Sequence, residues 1–191
     1  MAARTFLFIS LFLLIAAGAP AGAETGKGFI CDQSYALCTS APCIPDPSDP
    51  EKKAICSCEA VDGKSFGSKS CEDRKPSTSG DGVTKITSSY SLAQAPTKPV
   101  LVCPSGNPWT DCLDSPCVQD PMDPLHAICT CDIVRSQVFV TYGGDCNTKT
   151  CSTAYWSGAT VEMIDAGTAA LMKDLGIEKS PVDYCPGMDP K

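Results

Sequence analysis

The sequence predicts a small, disulfide-rich, β-dominated (α+β) fold: two tandem cysteine-stapled repeats with short hairpins and one C-terminal helix. Three observations carry this expectation. Fourteen cysteines occur in 191 residues. Six of them recur in one order, as Cys31, Cys38, Cys43, Cys56, Cys58 and Cys71, then as Cys103, Cys112, Cys117, Cys129, Cys131 and Cys146. One segment, "TVEMIDAGTAALMKDLG", has the period and the ends of a helix.

Residues 1–23 read as a secretory signal. Arg4 supplies the positive region, Phe6 to Ala17 the apolar one, and Ala21-Gly22-Ala23 a small-residue cleavage site before Glu24. The apolar run is shorter than the roughly 20 residues that span a bilayer. No later segment is apolar enough to span one, so no membrane span is expected in the mature chain. Exported chains with an even cysteine count read as oxidised frameworks, secreted or periplasmic. All fourteen cysteines, the twelve above with Cys151 and Cys185, are therefore expected in disulfides. Sixteen prolines and fifteen glycines suggest that covalent staples replace part of the usual apolar burial. The formal net charge is −7, and loss of Arg4 makes the mature chain more acidic still. An acidic surface attracts neither nucleic acid nor an anionic membrane.

The repeat is read from two phrases, "CIPDPSDPEKKAICSCE" from Cys43 and "CVQDPMDPLHAICTCD" from Cys117. Upstream, "CTSAPC" matches "CLDSPC". The intervals between the six cysteines are 6, 4, 12, 1 and 12 residues in the first copy and 8, 4, 11, 1 and 14 in the second. A fainter likeness joins "TKITSSYSLAQA" (Thr84 to Ala95) to "TKTCSTAYWSGA" (Thr148 to Ala159). This places repeat one at residues 24–99 and repeat two at 100–191. The junction Ala95-Pro96-Thr97-Lys98-Pro99 is held extended by its prolines. "KPSTSGDG" from Lys75 reads as a loop.

Within each copy, β-branched and aromatic runs mark strands. "HAICTCDIV" and "VFVTY", separated by Arg135-Ser136-Gln137, read as a hairpin. "KAICSCEAV" is the counterpart in repeat one, with a shorter partner expected around Lys64 to Gly67. In the helix, Val161, Ile164, Leu171 and Leu175 recur at helical spacing and Gly176 suits the C-terminal cap. Gly167 weakens its middle. Repeat one has no equivalent.

Side chains two apart on a strand share a face, so Cys56 and Cys58 are poorly placed to bond each other. Each is expected to reach a different partner, one in the "CTSAPC" turn and one in the repeat's flank. Cys151 faces Thr87 in the alignment and has no equivalent, so a Cys151–Cys185 bond is expected. A second frame treats Cys185 as the closing residue and makes bridges cross between the copies.

The six-cysteine order, with a C-x-C pair fourth and fifth, resembles an epidermal-growth-factor-like module, and "FGSKSC" and "YGGDC" echo that family's glycine-containing end. The intervals around the C-x-C pair are longer than the family's, and no fold, bridge pattern or calcium site is transferred.

The residues carry no evident catalytic constellation. A phosphate-binding glycine loop, H-E-x-x-H and C-x-x-C are all absent. Two thiols on one strand face suit a soft metal, but exported thiols oxidise, and the single histidine, His126, reads as a surface residue. No metal and no cofactor are therefore assigned. Asp46, Asp49, Asp120 and Asp123 form a repeated "DPxDP". Calcium needs 6–8 oxygens, and each loop offers two carboxylates without a bidentate glutamate. These aspartates read as rigid acidic turns and candidate recognition loops. Trp109 and Trp156 read as packing around the staples. The reading is an exported structural or binding module, more a non-enzyme than an enzyme, with a protein or cell-surface ligand as partner. The alternative is a secreted enzyme, or a metal- or thiol-active protein using the C-x-C pairs.

Overall fold

The computed structural model describes residues 28–146 and 155–182. The signal segment and the expected Cys151–Cys185 bond lie outside the described residues. The chain runs through β1 (Phe29–Leu37), β2 (Pro42–Pro45), β3 (Lys53–Gly67), β4 (Ser77–Thr78), β5 (Thr84–Ser89), β6 (Val100–Cys103), β7 (Trp109–Asp111), β8 (Pro116–Gln119), β9 (His126–Val134), β10 (Phe139–Tyr142), β11 (Tyr155–Gly158) and α1 (Val161–Leu175). It is a small, strand-dominated, disulfide-rich fold with one C-terminal helix.

Two hairpins form its centre. β2 pairs antiparallel with β3, setting Cys43 opposite Cys56, and β8 pairs with β9, setting Cys117 opposite Cys129. β3 and β9 then pair with each other, antiparallel, from Lys53 opposite Asp132 to Glu59 opposite His126. The strict alternation of "KAICSCE" and "HAICTCD" explains why: one face of each strand carries only alanine and cysteine. Ala54, Cys56, Cys58, Ala127, Cys129 and Cys131 are all buried on that face. At the middle of the register Cys56 faces Cys129, with Ala54 opposite Cys131 and Cys58 opposite Ala127. The two strands are thus related as if by a twofold axis through the Cys56–Cys129 position.

Each half lends a strand to the other. β5 lies against β8, with Ile86 opposite Cys117, and β11 lies against β2, with Tyr155 opposite Cys43. β5 continues parallel to β1, and β11 parallel to β7. The pairings close two circuits of five strands, β3-β9-β8-β5-β1 and β9-β3-β2-β11-β7, which share β3 and β9. Closure of this kind covers the edges of both central hairpins. It also shifts the fainter sequence match. That likeness sets Ile86 against Thr150, but by its place in the sheet the counterpart of Ile86 is Tyr155.

The expected hairpins are displaced in both halves. β3 is one continuous strand, so Lys64 to Gly67 extend it rather than returning along it, and they pair with β1. β10 does not return along β9; it pairs with β6 in a separate two-stranded sheet. The cause lies upstream. β1 is an unbroken nine-residue partner, whereas the corresponding stretch of the second half is interrupted by Pro104-Ser105-Gly106-Asn107-Pro108. Two prolines lack ladder donors, and Gly106 turns the chain at φ 97°.

The helix forms as its sequence predicts. Thr160 caps the N-terminus by accepting a hydrogen bond from Met163 N, and Gly176 closes the other end in the left-handed conformation. Ile164, Gly167 and Leu171 face inward beside Phe66 and Tyr90, and Lys64 Nζ reaches Asp174 at 2.6 Å. Gly167 is required here: a Cβ would lie 2.6 Å from the Tyr90 ring.

Candidate functional site

Among the described residues six disulfides join Cys31–Cys71, Cys38–Cys58, Cys43–Cys56, Cys103–Cys146, Cys112–Cys131 and Cys117–Cys129. The two sets are nested in one order: first cysteine to sixth, second to fifth, third to fourth. Each C-x-C pair sends both its bridges into the preceding turn, "CTSAPC" or "CLDSPC". The expectation that one would reach the flank is corrected, because the flanking Cys31 and Cys103 are taken by Cys71 and Cys146. The turn supplies both partners because it joins two strands that lie along the same edge of the C-x-C strand, β1 and β2 beside β3, and β7 and β8 beside β9. No bridge among the described residues joins the two halves.

Four of these bridges nonetheless touch across the pseudo-twofold. Cys38 Sγ lies 3.4 Å from Cys129 Sγ, and Cys56 Sγ lies 3.6 Å from Cys112 Sγ. Cys38, Cys58 and Cys129 form one buried group of sulfurs within 4.8 Å of one another, and Cys56, Cys112 and Cys131 form the equivalent group. The spacing suits a soft metal, but every one of these sulfurs is spent in a bridge and offers no thiolate.

The Asp-Pro turns connect the strands of the two hairpins and lie at opposite ends of the β3–β9 pair. Seven residue pairs, about 20 Å of strand, separate them. The four aspartates therefore do not converge on one ion. Within each turn the carboxylates serve the backbone. Asp46 Oδ1 accepts from Ser48 N at 2.8 Å and from Ser48 Oγ at 2.7 Å, bonds that hold its carboxyl below the usual range. Asp120 Oδ1 accepts from Met122 N at 2.8 Å, and Asp123 accepts from Leu125 N through Oδ1 while its Oδ2 meets His126 Nδ1 at 2.8 Å. Backbone bonds from Asp120 N to His126 O and from His126 N to Asp123 O complete the second turn.

That turn holds two apolar side chains out to solvent: Met122 is 90% and Leu125 70% exposed. The outward face of the central sheet continues the apolar surface with Ile44, Val118 and Ile128, each about half exposed. Sequence reading singled out the carboxylates of these turns and passed over Met122 and Leu125. The signal available was an apolar residue inside the second copy's "DPxDP", Met122, with another, Leu125, directly after it.

His126 is exposed, and it borders a polar cleft of about 250 Å³ with Lys98, Glu59, Gln94 and Ser40. Lys98 Nζ there reaches Ser40 Oγ at 3.0 Å and Glu59 Oε1 at 3.3 Å. Trp109 is fully buried and stacks on Phe139 at 5.5 Å beside Cys103, and Trp156 is half-buried in β11.

One buried pair escaped the sequence reading. Arg74, with no exposed surface, donates to Lys69 O, Ser89 Oγ and Phe29 O at 2.8–3.0 Å. Its ion partner is Asp114, in the "CLDSPC" turn, whose Oδ2 accepts from Ser68 N and Lys69 N. Asp114 adopts φ 57°, the left-handed region that aspartate tolerates. Among the described residues no helix is long and apolar enough to cross a membrane.

Comparison with protein-family profiles, with characterised proteins and with solved structures gives no match to this chain, which leaves the geometry of the turns and of the bridged core as the ground for its function.

Proposed function

We propose that this chain is an exported, acidic binding module built from two duplicated, disulfide-stapled halves, with the second Asp-Pro turn as its recognition element. Residues 1–23 serve as the export signal, and the six bridges suit an extracellular or other non-cytoplasmic setting. The duplication is supported by the shared nesting of the bridges and by the reciprocal loan of β5 and β11. The halves span residues 24–99 and 100–191. The protein acts by contact, without catalysis or cofactor, on a protein or cell-surface ligand.

The observation that carries this reading is the exposure of Met122 and Leu125 on a turn fixed by Asp120 and Asp123. A protruding apolar side chain costs solvation free energy unless a partner covers it. A turn already ordered by its own carboxylates loses little entropy on binding. The flanking aspartates suit a partner pocket with a basic rim.

The test is selection of binders from a displayed library of extracellular protein domains, using the oxidised mature chain as bait. Binders should lose the Met122→Ser/Leu125→Ser variant and keep the Asp49→Asn variant. Binders that retain the double variant at full affinity would refute the turn as the recognition element.

A further inference from the structure

We propose that the bridged core is an intramolecular thiol–disulfide exchange site with two equivalent loci, at which a thiol freed in one half takes over a bridge of the other. The two sulfur contacts across the pseudo-twofold are the ground for this. Cys38 Sγ and Cys129 Sγ are 3.4 Å apart and belong to different bridges, as do Cys112 Sγ and Cys56 Sγ at 3.6 Å. Reacting atoms held at about 3–3.5 Å are within a near-attack distance; the first contact falls in that range and the second just beyond it, so the step needs little further approach.

The chemistry balances without an outside oxidant or reductant once one thiol is free. The Cys38 thiolate attacks Cys129 Sγ, a Cys38–Cys129 bond forms, and the Cys117–Cys129 bond breaks. Its electron pair leaves on Cys117, which takes up a proton in place of the one Cys38 gave up. One bridge and one thiol exist before and after. At the second locus the Cys112 thiolate attacks Cys56 Sγ and releases Cys43. Each product is a covalent tie between the halves, which the native pairing among the described residues lacks.

The surroundings decide what else can happen. Cys38, Cys43, Cys56, Cys112, Cys117 and Cys129 are all buried. A bulky external disulfide cannot reach a thiol there, so among the described residues the neighbouring bridge is the electrophile at hand. The thiolate is the attacking form, so the rate should climb with pH as the thiolate fraction grows.

The experiment frees one thiol at a time in the full chain. The Cys58→Ser variant leaves Cys38 unpaired, and the Cys131→Ser variant leaves Cys112 unpaired. Each is held folded at pH values from mildly acidic to mildly alkaline, then quenched in acid, alkylated and mapped without reduction. The expected result is a Cys38–Cys129 peptide with alkylated Cys117 in the first variant, and a Cys56–Cys112 peptide with alkylated Cys43 in the second. Both yields should rise with pH, and unfolding in guanidinium should replace them with a mixture of pairings. Alkylated Cys38 with Cys117–Cys129 intact, in protein that keeps Cys31–Cys71 and Cys103–Cys146, would overturn the proposal. Should a variant fail to form those outer bridges, brief phosphine reduction of the unsubstituted protein gives the same reading. Partly reduced species carrying Cys38–Cys129 or Cys56–Cys112 support exchange, and species in which Cys38–Cys58 or Cys112–Cys131 has opened without any such link overturn it.

Discussion

Arg74 of the first half and Asp114 of the second are both buried, with Arg74 Nε 3.8 Å from Asp114 Oδ1. Asp114 Oδ1 has no hydrogen-bond partner among the described residues, so the guanidinium is what balances it. Burial pulls the Arg74 pKa down and the Asp114 charge opposes that pull. Removing one member of a buried pair leaves the other uncompensated. Arg74→Met is expected to destabilise the chain by about 3–5 kcal/mol in chemical denaturation. Arg74→Lys should recover little, since one ammonium cannot reproduce the forked bonds to Lys69, Ser89 and Phe29. A loss below about 1 kcal/mol for Arg74→Met would contradict this account.

Gly167→Ala sets two effects against each other. Alanine favours a helix interior over glycine by about 1 kcal/mol. The added methyl, however, meets Tyr90 Cδ1 at 2.6 Å. Tyr90 cannot swing aside freely, because its hydroxyl bonds Tyr142 at 2.7 Å and Thr168 at 2.8 Å. Overpacking should win, giving a net loss of about 1–3 kcal/mol. Thermal unfolding checks the sign, and a stabilised variant would show that α1 floats on the sheet rather than seating on Tyr90.

Asp111 gives a pH dependence. Burial raises its carboxyl pKa; the Leu113 amide opposes the rise, and Asp132 and Asp114 add to it. Asp132 sits directly opposite in the β7–β9 register and is shared with Lys53 at 2.6 Å. A folded pKa above the unfolded value of about 3.9 means that the native state holds the proton better. The associated stability is present below that unfolded value and is lost as pH rises through the raised folded one. Asp111→Asn should therefore be more stable than the unsubstituted chain at neutral pH, with the advantage shrinking as the pH falls through that window. Urea titrations of both proteins at several pH values test this, and a difference that stays flat with pH contradicts it.

Asp120 of the second turn should differ from Asp49 of the first. Asp120 anchors Met122 N, so Asp120→Ala is expected to cost about 1 kcal/mol through the lost hydrogen bond. Asp49→Asn should stay within about 0.5 kcal/mol, as surface changes usually do. Added calcium should leave the melting temperature of the parent unchanged, since the turns stand at opposite ends of the sheet. A calcium-dependent rise abolished by Asp49→Asn/Asp123→Asn would reverse that reading.

What the sequence revealed was local. The helix was legible because Thr160, the spaced apolar residues and Gly176 all act within a few residues of one another. The C-x-C units were legible because alternation fixes which side chains share a face. The partners of Cys56 and Cys58 were not, since either the turn or the flank satisfied the spacing. Nor was the exchange of β5 and β11, because a strand's own pattern does not say whose edge it will cover. Arg74 was illegible for the same reason: an arginine in a polar loop looks solvated until Asp114 arrives from the other half. Gly167 read as a weakness in a helix and is instead the place where an aromatic ring comes close.

The loan of strands has a consequence for ancestry and for engineering. Neither half closes its central hairpin with its own residues: β2 needs β11, and β8 needs β5. Cleavage between Pro99 and Val100 would thus yield two pieces, each with a bare hairpin edge and a strand with nothing to cover. On the duplicated reading, two identical copies of the first piece would each find in the other what they lack, and a single-copy forebear would have lived as an obligate homodimer. On that same reading the present chain would be such a dimer written as one polypeptide, free to let one copy acquire a helix and an exposed Met-Leu turn while the other kept the frame.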